Sequence, residues 1–409
     1  MSDRQVDFLL IGGGLAAASC AAKLREEGGE GSILLVGREP DPPYHRPPLS
    51  KAYLREDESR SDALVKEGAW WEENGVELLT GTSVMKLDPS ERIARLSSRE
   101  VVGFGSALLA TGSNVRRLRA EGGDLEGIHY LRTFGNSDAI RADASDAERI
   151  VVVGGSYVAT EVAASLTAWG GRCTIVMQEE VTLERSFGDQ VGGFFQGVLE
   201  EHGVEVVASD ELERFEGADG RVRAVVTRGG REVEGGCVVI GAGVMPDVML
   251  ARSAGLELGE HGGVACSSRL ETSARGVYAA GDIAEYESVH HGGRSLRIEH
   301  WDVAQKQGET AALNMLGRDV AHEELPYFFS DLADWTSMEY VGRGSGEPVI
   351  RGSMDDGEFS AFYMDGGRVT AALSVGRSDD LEQARRLISE GTEVETDALA
   401  DVDTDLGSL

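Results

Sequence analysis

Two stretches of this 409-residue chain have residue types and spacing that could do chemistry. The first is Gly12-x-Gly14-x-x-Ala17, directly after the apolar run 6–11. Between a strand and a helix, the first glycine makes a tight turn and the second lets backbone approach a pyrophosphate. A small third residue lets the helix pack on the strand. The pyrophosphate would rest on free N–H groups at the helix start, where the dipole favours an anion. The second stretch is Gly154-x-Ser156-x-x-Ala159, after 149–153. Here serine replaces the glycine of closest approach. Its hydroxymethyl narrows the space, although its hydroxyl could itself bind phosphate. The following strand ends at Met177, where a ribose-binding carboxylate is expected, and Glu179 two residues on is the substitute. Losing one charge-assisted hydrogen bond costs roughly 1.5–3 kcal/mol, or about 10- to 150-fold in affinity. A weakened dinucleotide site and a degenerate domain that binds nothing both stay open.

Cysteine and histidine chemistry is not expected. Cys20, Cys173, Cys237 and Cys266 stand alone, with no close pair for dithiol exchange or zinc, and read as buried small residues in a reducing cytoplasm. His290 and His291 would point apart in a strand, so no metal site is expected.

The elements that must position these residues follow from periodicity. A strand at 6–11, an Ala-rich helix at 15–27 ended by glycines at 28–31, and a strand at 32–37 make a complete βαβ start. The Pro-rich segment 38–50 predicts a fixed loop. A helix end at 70–74 leads to short strands near 76–79, 83–88, 92–96 and 101–103, then a buried strand at 107–110. A second βαβ start has a strand at 149–153, a helix at 157–169 and a strand at 173–177. Then come a helix at 191–202, strands at 204–207, 212–216, 222–228, 237–240 and 276–280, and a helix at 301–316. After Pro326 antiparallel strands are expected at 327–329, 335–341, 349–352, 359–364 and 369–375, followed by a helix at 379–389. The acidic stretch 390–409 is expected to be loosely held. Two βαβ starts this far apart are no short-period repeat and predict two nucleotide-binding units.

Composition bounds the partners. Hydrophobic residues at 41% and charged residues at 27% describe a globular chain of two or three domains. With 39 basic and 71 acidic residues the net charge is −32. That argues against nonspecific binding to nucleic acid or anionic lipid, both of which rest on basic surface. The N-terminal apolar run is far short of the roughly 20 residues that span a bilayer, and no small-residue cleavage site follows it. Only five lysines occur, so a functional lysine has few candidates.

Five segments carry a family likeness: PPYHRPPLSKAYL (42–54), LLATGS (108–113), VVVGGSYVATEVAASL (151–166), VYAAGDIA (277–284) and RIEHWDVAQKQGETAALNMLG (297–317). They resemble the FAD-dependent pyridine nucleotide-disulphide oxidoreductase superfamily, most of all its ferredoxin reductase type (the putidaredoxin reductase branch). The apoptosis-inducing-factor-like and monodehydroascorbate reductase branches are close. The resemblance implies an α/β fold with two Rossmann-like three-layer domains, for FAD and NAD, plus a C-terminal α+β domain. Residues 1–114 and 241–324 would be the two parts of the FAD-binding domain, 115–240 the NAD(H)-binding domain, and 325–409 the C-terminal domain.

The resemblance also implies roles. Gly12, Gly14, Leu15, Ala16 and Ala17 would hold the FAD pyrophosphate. Arg38 stands where an acid often binds the adenine ribose, and Glu39 is the substitute. Arg46 would help hold the FAD, and Val84, Ala110, Thr111, Gly112 and Arg132 would line it. Gly281 and Asp282 would serve the ribityl or pyrophosphate region. Glu299, His300 and Trp301 would lie at the flavin, with Trp301 presenting backbone to its pyrimidine edge. Gly154, Gly155, Ser156, Val158, Glu179 and Gly241 would form the NAD site, with Tyr157 by the flavin face. Lys51 would reach the flavin near N5 and pair with Glu161, since a tethered cation there stabilises the reduced, anionic ring. Phe328 and Phe329 either flank the flavin or are plain core aromatics. Met245-Pro246-Asp247 replaces the usual Arg-Pro-Asn. The redox cysteine pair is absent, and no cysteine stands at Leu49 or Ser50, so thiol-based disulphide or peroxide reduction is not expected.

The expected activity is an FAD-dependent NADH oxidoreductase that hands electrons to a small ferredoxin-type iron–sulfur protein. The Glu179 carboxylate disfavours NADPH. An acidic ferredoxin and a chain of −32 repel on average, so docking needs a local basic patch, for which Arg116, Arg117 and Arg119 are candidates. One alternative is an FAD enzyme with a weakened or lost nicotinamide site that reduces oxygen or a quinone, or oxidises a small substrate. Another is a redox-sensing flavoprotein. A monomer or homodimer is expected, with no nucleic-acid, membrane or metal partner.

Overall fold

A computed structural model describes residues 2–409. They form two compact units, each assembled from three stretches of chain. The first takes the N-terminal part up to His45, residues 61–114 and 245–326; the second takes 46–60, 115–244 and 327–409.

The first unit is built on a seven-stranded sheet. Its central strand Arg4–Ile11 pairs in parallel with Ile33–Val36 and Val101–Leu109, so that Leu10 faces Leu35 on one side and Leu108 on the other. Val76–Leu79 and Val277–Ala279 extend the parallel part, while Ile93–Leu96 and Val84–Asp88 add antiparallel strands. Every residue of Ile33–Val36 is buried, as expected for a parallel strand covered on both faces. The helices Leu15–Glu26 and Trp301–Met315 pack together at a very close crossing. A Cβ on Gly308 would stand 2.2 Å from the Ala16 carbonyl oxygen, so only glycine permits the approach.

The second unit holds a parallel five-stranded sheet in the order Glu205–Val207, Cys173–Val176, Ile150–Val153, Cys237–Ile240, Ile128–Tyr130. A three-stranded antiparallel sheet spans Leu212–Glu234. Residues 327–375 form a five-stranded antiparallel sheet, against which helix Ser378–Glu390 packs. The architecture is the expected α/β class with a C-terminal α+β portion.

Four local expectations are corrected. A helix, Phe134–Asp146, forms where none was read; a capping box between Thr133 and Asn136 starts it. Val101–Leu109 is one strand, not two, because Gly103 and Gly105 only interrupt its apolar pattern; Cβ atoms there would strike the Gln5 side chain and the Asp7 carbonyl. The helix read from 191 starts at Glu184 and passes a break at Gly188, whose φ is +80°. The acidic tail is not loose. Arg351, almost fully buried, donates to the carbonyls of Leu399, Asp401, Val402 and Thr404, and Arg386 donates to those of Leu406 and Leu409. Both anchors lie upstream of the tail, so its own composition concealed them.

All four cysteines are free and buried. Burial pushes the Cys173 thiol up to about 11 and that of Cys237 to about 12. Among the described residues no helix is long and apolar enough to cross a membrane, and no three metal-ligating side chains cluster.

Candidate active site

In the first unit the strand Arg4–Ile11 runs into Gly12, whose φ is +133° and whose Cβ would lie 2.0 Å from the Ala110 carbonyl oxygen. Glycine is therefore required twice over. Gly14 precedes the helix with φ −101° and ψ −174°, carries no capping side chain, and leaves open space where a Cβ would stand. The first amide to bond back into the helix is that of Ala18, to the Gly14 carbonyl. The N–H groups of Leu15, Ala16 and Ala17 thus lack intrahelical acceptors and face an open approach. Such a cradle fits a pyrophosphate.

Around it, Gly13 rests on Gly37, and two residues further the Glu39 carboxylate accepts a 2.5 Å hydrogen bond from Tyr44. Arg38 turns to Asp247 at 2.9 Å and Asn114 at 2.6 Å. Gly281 donates its N–H to Gln307 at 2.8 Å and faces Ala16. Asp282 is half-buried, with its carbonyl accepting from Arg297, which also pairs with Glu299. His300 precedes the second helix in extended conformation, and the Trp301 indole donates to His45 Nδ1 at 2.8 Å. Burial holds His45 below the usual histidine range, consistent with a neutral acceptor. Thr111 bonds the Asp247 carbonyl at 2.7 Å, Gly112 takes φ +67°, and Val84 packs half-buried on the core.

The second unit repeats the cradle. Gly154 has φ +118° and a Cβ position 2.5 Å from the Gly241 carbonyl oxygen. Ser156 has φ −100° and ψ −176°, nearly the values of Gly14, so serine needs no strained backbone. It is exposed and its side chain caps no helix N–H. Gly155 lies over Met177, with 2.5 Å between its Cβ position and the Met177 sulfur. Met177 therefore occupies the packing place that Gly37 has in the first unit, and Glu179 falls where Glu39 does. In both turns the carboxylate comes two residues after the packing position. Glu179 pairs with exposed Arg185 at 2.7 Å, Val158 is exposed, and Gly241 presses on Ala159.

A buried ion pair stands in the same unit. Lys51 caps a short 3-10 helix, Pro47–Ser50, that forms inside the segment expected to be loop alone, and pairs with Glu161 of helix Tyr157–Ala168; the side chains are 9% and 10% exposed. Glu161 Oε1 also accepts from Ser330 Oγ at 2.5 Å, and Oε2 accepts from Ser50 Oγ at 2.6 Å. The turn is fastened by Ser165 to the Ser50 carbonyl at 2.7 Å and by Ser137 to the Leu49 carbonyl at 2.9 Å. The Lys51 ammonium, 6.0 Å from the Phe329 ring centroid, makes no hydrogen bond to a further group among the described residues. A buried cation with donors to spare fits the electron-rich edge of a flavin. Asp331 lies within electrostatic reach of Lys51 and Glu161, and burial holds its carboxyl above the usual range. Arg46 donates to the Arg132 carbonyl, and Arg132 N–H meets Asn136 at 3.2 Å. Tyr157 meets Phe328 edge-on at 5.0 Å and Phe187 at 5.9 Å. Phe328 is thus a core aromatic, while Phe329 is 37% exposed. The serines were missed, because no spacing in the sequence joins residues 50, 161 and 330.

Residues 6–308 match the family described as pyridine nucleotide-disulphide oxidoreductase, and 327–409 match the reductase C-terminal family. The chain belongs to the pyridine nucleotide-disulphide oxidoreductases. It is 34% identical over 407 residues to the 5,5'-dehydrodivanillate O-demethylase ferredoxin reductase subunit of Sphingobium sp., covering 98% of each chain. It is also 34% identical to the benzene 1,2-dioxygenase system ferredoxin–NAD(+) reductase subunit of Pseudomonas putida, over 98% of this chain and 96% of that one. Among solved structures, the ferredoxin reductase for the CYP199A2 system from Rhodopseudomonas palustris has a TM-score of 0.93 at 29% identity, covering 100% of this chain and 99% of that one. The reductase in a covalent putidaredoxin reductase–putidaredoxin complex reaches 0.92 at 30%, covering 100% and 98%. This pyridine nucleotide-disulphide oxidoreductase has Leu49 and Ser50 beside Lys51, and its four cysteines are buried and free elsewhere. Of its arginine cluster, Arg117 lies over the Tyr130 ring at 5.1 Å.

Proposed function

We propose that the chain is an FAD-dependent NADH oxidoreductase that passes electrons to a small ferredoxin-type iron–sulfur protein. The observation that carries this is the agreement of the two cradles: Ser156 adopts the backbone of Gly14, and Glu179 stands where Glu39 stands. That agreement favours a working second dinucleotide site over a lost one. The names of the relatives supply the acceptor class. A bound flavin supplies the ability to take two electrons at once and release them singly.

The residues then divide the work. The amides of Leu15, Ala16 and Ala17 hold the FAD pyrophosphate beside Gly12 and Gly14, and Glu39 takes the adenine ribose. Arg46, Val84, Ala110, Thr111, Gly112, Arg132, Gly281, Asp282, Glu299, His300 and Trp301 surround the rest. Lys51 lowers the cost of negative charge on the reduced ring, and Glu161 keeps it in place. Gly154, Gly155, Ser156, Val158 and Gly241 seat the NADH phosphates. Tyr157 borders the nicotinamide, and Glu179 accepts from ribose hydroxyls while repelling a 2′-phosphate. We assign 1–114 and 241–324 to FAD, 115–240 to NADH and 325–409 to the C-terminal domain, in a cytoplasmic enzyme. Anaerobic stopped-flow mixing of the yellow protein with NADH or NADPH tests this. Fast bleaching by NADH and slow bleaching by NADPH are expected; no bleaching by either would overturn the reading.

A further inference from the structure

We propose that Ser50 and Ser330 are positioning residues: they hold both oxygens of the Glu161 carboxylate and, through it, set Lys51 and the reduction potential of the bound flavin. This rests on the reading of Lys51 as the partner of the flavin ring.

The geometry is specific. A carboxylate free to turn about its last torsion would present either oxygen to Lys51. Here Ser330 fixes Oε1 at 2.5 Å and Ser50 fixes Oε2 at 2.6 Å, so rotation breaks two charge-assisted hydrogen bonds. Both hydroxyls are buried, Ser330 at 1% and Ser50 at 5% exposure, and water offers no easy replacement. Ser50 Oγ also lies 3.3 Å from the Pro47 carbonyl, but one hydroxyl proton serves one strong bond and the 2.6 Å contact takes it. Ser50 is itself fastened by Ser165, one helical turn beyond Glu161. The two donors also draw negative charge from Glu161. That charge opposes reduction of a nearby ring, and Lys51 favours it. Removing a hydroxyl leaves the Glu161 charge less compensated and the carboxylate less fixed, so the flavin becomes harder to reduce. Asp331 feels both Lys51 and Glu161, and neither serine substitution removes its own charge.

The test is redox titration of purified, flavin-loaded S330A, S50A, S330T and K51M beside the parent protein, recording midpoint potential and visible spectrum. S330A and S50A should each shift the reduction equilibrium about tenfold toward oxidised flavin, about 30 mV for a two-electron couple. S330T, which keeps the hydroxyl, should stay close to the parent. A purely structural role would lower thermal stability in the alanine variants and leave the potential unmoved, which overturns the proposal. If K51M shifts the potential while S50A and S330A do not, the serine proposal alone fails. If K51M also leaves potential and spectrum unchanged, the flavin reading of the pair fails with it.

Discussion

Glu161→Gln keeps the shape of the side chain and removes one charge from a pair whose members are about nine-tenths buried. The Lys51 ammonium then has no carboxylate in direct contact. Removing one partner of a buried pair costs roughly 3–5 kcal/mol, because the survivor stays desolvated without compensation. Lys51→Met strands the carboxylate instead, and the two serine hydroxyls soften that cost toward the lower end. The double variant Lys51→Met/Glu161→Gln removes both charges of the pair, and its amide oxygen still accepts from a serine. It should lose less than the sum of the singles, with a coupling of about 2–3 kcal/mol. Urea unfolding of the flavin-loaded proteins, followed by tryptophan fluorescence, measures the cycle. Additivity within about 0.5 kcal/mol would refute the claim that these charges neutralise each other inside the protein. The double variant should regain stability without regaining reduction by NADH, which separates what the pair does for folding from what it does for chemistry.

Gly14→Ala meets open space at an ordinary φ, so the flavin-stripped protein should keep its stability within about 0.5 kcal/mol while its flavin content falls. Gly12→Ala meets a carbonyl at a φ of +133° and should lose at least ~2 kcal/mol; thermal unfolding and flavin-to-protein ratios distinguish the two. Glu179→Ala should weaken NADH binding roughly 10- to 150-fold and narrow the preference over NADPH, read from bleaching rates against nucleotide concentration. His322, buried at 2% exposure, is held down to about 4 from 6.5 by burial and then by His290. The folded protein thus binds fewer protons there than the unfolded chain. The stabilisation is whole above pH 6.5 and is lost as pH falls toward 4, roughly 3 kcal/mol in all. His322→Gln should flatten the urea midpoint between pH 7 and 4.5; an unchanged slope would show that His322 does not govern this window.

Much of this was legible because close backbone approach leaves marks in sequence. Gly12 and Gly154 sit where a side chain would strike a carbonyl, and the strands beside them are continuous apolar runs. Met177 was legible only in part: the eye expects an acid at the strand end, yet that position packs beneath Gly155 and the acid comes two residues later. The helix Phe134–Asp146 hid because its buried face includes Ser137, a residue spent on bonding the Leu49 carbonyl rather than on apolar packing. The hydroxyl latch hid for a deeper reason. Serine is common and carries no spacing rule, so only the fold brings Ser50, Glu161 and Ser330 together.

That latch has a consequence for how the protein is born. Ser330 lies 169 residues downstream of Glu161. At about 5–20 residues per second, roughly ten to thirty seconds of translation separate the two. For that interval the nascent chain carries both nucleotide turns and Lys51, but its acid is held on one side only. The sheet that brings Ser330 is completed later still, once the strand Arg368–Val375 is made, and the tail fastens to Arg351 after that. Completion of the hydrogen bonding around the Lys51–Glu161 pair is therefore an event late in synthesis. A prematurely terminated chain would keep the dinucleotide turns and never close the latch.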